Sequence, residues 1–78
     1  MRWQMKSRLI LTFDNLSSDP DGSRSVEQHL LGQPGVTRDF VSAVIEAAYV
    51  EYDATAISRA ETVEAVRATG FSAEIALS

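Results

Sequence analysis

The sequence predicts an α+β fold: a four-stranded antiparallel sheet with two helices on one face, in the order β-α-β-β-α-β. Three observations predict it. Strand-like and helix-like periodicities follow one another in that order. The two middle strands adjoin as a pair, with one helix before them and one after, which is the split βαβ arrangement. The two halves also rhyme, since Val26-Glu27 precedes Pro34-Gly35-Val36 much as Val63-Glu64 precedes Gly70-Phe71. At 78 residues the chain makes one domain. Residues 1–5 are expected to form a flexible tail with Trp3 exposed in it, and residues 6–78 the folded unit.

The first strand is read in Leu9-Ile10-Leu11-Thr12-Phe13, with Leu9, Leu11 and Phe13 on the buried side. Asn15 to Gly22 is loop chemistry throughout, rich in residues that favour turns and helix caps. The first helix spans Ser23 to Leu31, with Val26, Leu30 and Leu31 at helical spacing and Gly32, Pro34 and Gly35 ending it. Its start has two readings: Ser23 caps it, or Asp19 caps it with Pro20 in the first turn.

Val36–Ile45 and Ala48–Tyr52 read as a strand pair that turns at or near Glu46-Ala47. The turn lacks an Asn-Gly signal, so its register is open. Asp53 to Ile57 connects to Ser58-Arg59-Ala60-Glu61, a capping box in which the serine hydroxyl and the glutamate carboxylate each bond the other residue's amide. The helix that follows points Val63 and Val66 inward and stops at Gly70, and Ala73–Leu77 is the last strand. This order is that of a ferredoxin-like sandwich.

Composition excludes several function classes. There is no cysteine, so disulfides, thiolate metal sites, iron–sulfur clusters and cysteine nucleophiles are out. No apolar run reaches the roughly 18 residues of a membrane helix, so membrane insertion is not expected. No signal-peptide pattern opens the chain, which makes the cytoplasm the expected location. Net charge is −4, and from Leu9 onward four basic residues face eleven acidic ones, a net −7. Such a body repels phosphate backbones, so no nucleic acid partner is expected.

Val26-Glu27 with Leu30, then Pro34-Gly35-Val36, then Val50-Glu51-Tyr52-Asp53, then Ala65-Val66 with Gly70-Phe71-Ser72-Ala73 form an ordered set over about two-thirds of the chain. That set resembles the heavy-metal-associated domain of copper chaperones and of the N-terminal modules of metal-transport ATPases. The resemblance implies the ferredoxin-like fold and a metal-transport context. The family carries metal on two cysteines in the loop before the first helix, and those positions fall on Asp19 and Gly22 here. Shifting the loop by one residue supplies no thiolate either. Cu(I) is soft and prefers sulfur, so this chain is read as a degenerate member without cuprous activity. Asp39 is a second departure, standing where the family has an inward valine. It implies a displaced strand or a position near the strand's end, in water.

Three candidate sites follow. Ser17-x-Asp19-x-Asp21-Gly22 places oxygens at alternate positions, like the start of a calcium loop, but Gln28 stands where the closing glutamate belongs. Asp19 and Asp21, with neighbouring carbonyls, are thus the alternative metal ligands, for a hard or weakly held divalent ion. Their bland role is to favour the helix N-terminus. His29, the single histidine, is expected to face solvent on the first helix. No catalytic constellation is present, so no enzyme activity, catalytic residue or cofactor is expected.

The third candidate is apolar surface. If Val41, Ala43, Ala48, Val50 and Tyr52 face the helices, then Phe40, Val44 and Tyr49 face the bare side of the sheet, joined by Ile10. The resemblance also implies that the second strand is a sheet edge, and its segment Phe40 to Ile45 carries no charge or proline, which soluble monomers usually avoid. The expectation is a protein-interaction or regulatory module that uses Phe40, Val44, Ile45 and Tyr49 to bind a protein partner or a second copy. The acidic body resembles the family's ATPase-side modules, which implies a basic partner. Base stacking on Phe40 and Tyr49, as in RNA-binding sheets, is the weakest reading.

Overall fold

The computed structural model describes residues 6–77, so the expected tail at 1–5 lies outside the described residues. The strands are β1 (Lys6–Phe13), β2 (Val36–Ser42), β3 (Ala47–Asp53) and β4 (Ala73–Leu77), and the helices are α1 (Gly22–Leu31) and α2 (Arg59–Arg67). The sheet order is β2-β3-β1-β4 with antiparallel pairs throughout, so β2 and β4 are its edges. Both helices cover one face, as the element order predicts.

The core follows from alternation. Leu9, Leu11 and Phe13 of β1 and Val50 and Tyr52 of β3 point to the helices, and Leu9 lies opposite Val50. Val26 and Leu30 of α1 and Val63 and Val66 of α2 close over them. Each Val or Leu wholly removed from water in this way contributes about 1.5–3 kcal/mol of transfer free energy. Thr62 is also buried, and its hydroxyl donates to the Ser58 carbonyl at 2.9 Å, which satisfies it within the helix.

The capping box is present in full. The Glu61 amide donates to Ser58 Oγ at 3.0 Å, and the Ser58 amide donates to Glu61 Oε1 at 3.0 Å. The Ser58 amide, and then the Ser58 hydroxyl, hold the Glu61 carboxyl below its ordinary range. Replacing Ser58 with alanine is expected to cost about 1 kcal/mol by urea denaturation at neutral pH. A folded value below the unfolded one gives stability above the usual glutamate range that is lost as pH falls through the folded value. Ser58→Ala keeps the amide that contributes most to this shift and loses only the hydroxyl's smaller part, so its deficit should shrink only slightly in acid.

Several expectations are corrected. β1 begins at Lys6, three residues before the predicted Leu9. Neither proposed cap starts α1: Asp21 occupies the N-cap without a side-chain bond. The predicted loop contains a turn of 3-10 helix, Leu16–Ser18, whose Leu16 is fully buried. β2 stops at Ser42, and Ala43 to Glu46 form the turn into β3. That turn closes with Glu46 at φ 50, the left-handed region. Gly35 (φ +96) makes the turn into β2, and its carbonyl accepts from the Asp53 amide at 2.7 Å.

Candidate functional site

The bare face of the sheet is built by the residues that alternate with the core. In the register, Ile10 of β1 lies opposite Tyr49 of β3, and Tyr49 lies opposite Phe40 of β2. Three neighbouring strands thus set Ile10, Tyr49 and Phe40 in one row facing away from the helices. Ile45, at the hairpin tip, joins that row. Ile10, Phe40, Ile45, Ala47 and Tyr49 line a shallow depression of about 150 Å³. Phe40 is 64% exposed, Ile45 71% and Val44 93%, three of the large hydrophobic residues most open to water. Single exposed apolar residues need no explanation, whereas Phe40, Ile45 and Tyr49 gather around one depression.

Of the four residues singled out in the sequence, the structure brings Phe40, Ile45 and Tyr49 to that depression. Val44 stands apart in the turn. Val44 and Ile45 are tip residues, which corrects their reading as strand residues: β2 ends before them. The edge itself is also less bare than the sequence implies. It bears Arg38 and Asp39, and a register shift between Val36 and Arg38 leaves Thr37 as a bulge. Charges and bulges are the usual means of blunting an edge against strand addition. The apolar surface is therefore the face and the tip.

Beside the apolar row runs a charged one. Glu51 lies opposite both Arg8 of β1 and Arg38 of β2. The Tyr49 hydroxyl donates to Glu51 Oε2 at 2.6 Å. That bond, then the nearby Arg38, Lys6 and Arg8, holds the Glu51 carboxyl below its ordinary range, while the same bond raises the Tyr49 hydroxyl. The pair fixes the tyrosine ring on the face between Ile10 and Phe40. Sequence reasoning missed this row because period-two alternation was applied to the apolar residues alone. Arg8, Arg38 and Glu51 obey the same alternation.

Asp39 also departs from expectation. It is neither displaced nor at the end of its strand, for it lies opposite the inward-facing Val50. Its Oδ2 is buried without a hydrogen-bond partner. Burial first, and then the Glu27 carboxylate of α1, push its carboxyl above the ordinary range.

The loop aligned with the family's metal ligands holds a different device. Leu16 plugs the core, and α1 starts so close to it that a Cβ on Gly22 would stand 2.8 Å from the Leu16 carbonyl oxygen and 3.1 Å from Phe71 Cζ. Asp19 Oδ1 accepts from the Asp21 amide at 2.9 Å, a local turn. From the hairpin tip, Glu46 Oε1 accepts from the Ser17 amide at 3.1 Å and from the Ser17 hydroxyl at 3.3 Å. Among the described residues, no three His, Cys, Asp or Glu side chains gather for a metal ion. The donor set does not fit Cu(I), and among the described residues no third acidic side chain joins Asp19 and Asp21. His29 is exposed on α1, as expected, beside an open trough between α1 and α2. No helix among the described residues is long and apolar enough to cross a membrane.

No protein-family model matches the chain, and no curated protein matches it in sequence. Solved structures do match. Oxidized MerP from Ralstonia metallidurans CH34 aligns with a TM-score of 0.85 at 15% identity, covering 94% of this chain and 100% of that one. A copper binding domain from a P-type ATPase gives 0.84 at 25% identity, over 94% and 96%. A yeast copper transporter domain gives 0.77 at 23% identity, over 88% and 93%. The fold is that of the heavy-metal-associated domains, and this sequence carries it without a cysteine.

Proposed function

We propose that this chain is a non-enzymatic interaction module built on the heavy-metal-associated fold, with the bare sheet face and hairpin tip as its docking surface. The observation that carries the reading is the clustering of Phe40, Ile45 and Tyr49 around one depression, with Val44 beside it on the tip. The ligand loop supports it from the other side, because its positions serve packing: Leu16 fills the core and Gly22 leaves no room for a side chain. The similar structures include a mercury-bound MerP and copper-binding domains, which supports a place beside a metal-transport system. A regulatory contact there needs no bound ion of its own.

The test is capture from the source cells with three baits: wild type, a Phe40→Ser/Ile45→Ser double variant, and Leu31→Ser as a control on the helical side. Leu31 is 60% exposed, so its change alters apolar surface elsewhere. The expected result is a protein, or a second copy of this chain, retained by wild type and Leu31→Ser and lost with the double variant. Identical catches from all three baits would defeat the proposal.

A further inference from the structure

The net charge of −4 conceals a division between the two sides of the molecule. Lys6, Arg8 and Arg38 are exposed and act together on Glu51, the carboxylate between Arg8 and Arg38 in the register. That carboxylate accepts from the Tyr49 hydroxyl, to which the exposed Arg8 also hydrogen-bonds. Glu74, opposite Thr12 on β4, is one strand further away. The helical side and its loops carry Asp19, Asp21, Glu27, Glu61 and Glu64 against Arg24, Arg59 and Arg67. The apolar depression of Ile10, Phe40, Ile45 and Tyr49 therefore adjoins the Arg8–Glu51–Arg38 row, two cations to one anion, with Lys6 opposite Asp53 beyond it, although the chain as a whole is acidic.

We propose that the occupant of this face is an acidic protein segment: an apolar side chain seated in the depression, with flanking Asp or Glu residues against Arg8 and Arg38. This rests on the docking surface proposed above and reverses the sequence-based expectation of a basic partner. Charge complementarity selects the partner, because like charges brought together across an interface are costly and opposite ones steer the encounter. A second copy applied sheet to sheet would bring two Arg8–Arg38 rows together. A nucleic acid would lay phosphates over Glu51 and against a chain of net negative charge. Hydrocarbon suits the depression, and carboxylates suit the row beside it.

The probe is a short acetylated peptide of glutamates around a central Leu-Phe pair. Its controls are the same peptide with lysines for glutamates, and an oligouridylate. Amide shifts of the chain are read at low and high salt. The expected result is a set of shifts at residues 8, 10, 38, 40, 45, 49 and 51 with the glutamate peptide alone, weaker at high salt. Arg8→Glu/Arg38→Glu is expected to weaken binding about tenfold, about 1.4 kcal/mol. Arg24→Glu/Arg67→Glu, on the helical side, leaves it unchanged. Equal or stronger binding of the lysine peptide, tighter binding of the oligouridylate, or no shift with the glutamate peptide overturns the proposal. The two proposals fail separately. If Phe40→Ser/Ile45→Ser abolishes capture while Arg8→Glu/Arg38→Glu does not, the docking surface stands and its acidic partner falls.

Discussion

Gly22→Cys is expected to destabilise the fold by about 1–3 kcal/mol, the range for forcing extra volume into a packed site. The new Cβ meets a backbone oxygen, that of Leu16, at 2.8 Å, and the Phe71 ring blocks retreat on another side. Leu16 cannot yield cheaply, since its side chain is fully buried and its turn is tied to Glu46 through Ser17. Asp19→Cys, at the other aligned position, changes an exposed residue and should stay within about 0.5 kcal/mol of wild type. Denaturant midpoints of the two single variants and the double variant measure both effects. The double variant should show the Gly22 cost almost unchanged. Placing thiols at the two aligned positions is thus not a neutral change, because the loop there packs into the core. A Gly22→Cys chain as stable as wild type would show that the loop yields easily and that the close approach is incidental.

Asp39→Val is expected to act in the opposite direction and stabilise the protein by about 1 kcal/mol at neutral pH. The cost of a buried, unsatisfied polar atom is about 1–3 kcal/mol, and the low end applies because part of Asp39 remains in water. Valine also suits a strand and would extend the core beside Val50 and Val41. The gain has a pH signature. The folded Asp39 carboxyl lies above its ordinary value, so the folded state holds the proton that the unfolded chain releases between the two. Its contribution to stability is fully present below the unfolded value and is lost as pH rises through the folded one. The advantage of Asp39→Val should therefore be small in acid and grow toward neutrality. Glu51 and Glu61 are shifted the other way, so the informative quantity is the difference between the two stability curves. Glu27→Gln should reproduce part of the gain, since Glu27 is the charge that opposes Asp39. A flat difference across pH would mean that the Asp39 carboxylate finds water in solution.

The element order, both helices and the capping box were legible because each rests on local chemistry. Alternation marks β1 and β3, three-to-four spacing marks α1 and α2, and the Ser58–Glu61 pair has one geometry available to it. The apolar candidate site was legible in part, since the parity of Phe40 and Tyr49 follows from that of Val41 and Val50. Its other members were misplaced because the end of β2 depends on Glu46 adopting the left-handed region, for which glutamate carries no signal. Leu16 was missed because an apolar residue within a polar loop has no period to betray it. Asp39 was judged by its polarity, whereas its side of the sheet is set by its neighbours in the strand. The charged row was hidden by the overall negative charge, since summing along the chain erases the distinction between two faces.

Glu46 has a bearing on how the tip would receive a visitor. One carboxylate fastens the turn that carries Val44 and Ile45 to the start of the plugged loop, while its carbonyl accepts from the Phe13 amide at 2.8 Å. A tip moored at both main chain and side chain has little freedom left to surrender on contact. Affinity that a loose loop would spend on becoming ordered is retained, and dissociation should slow accordingly.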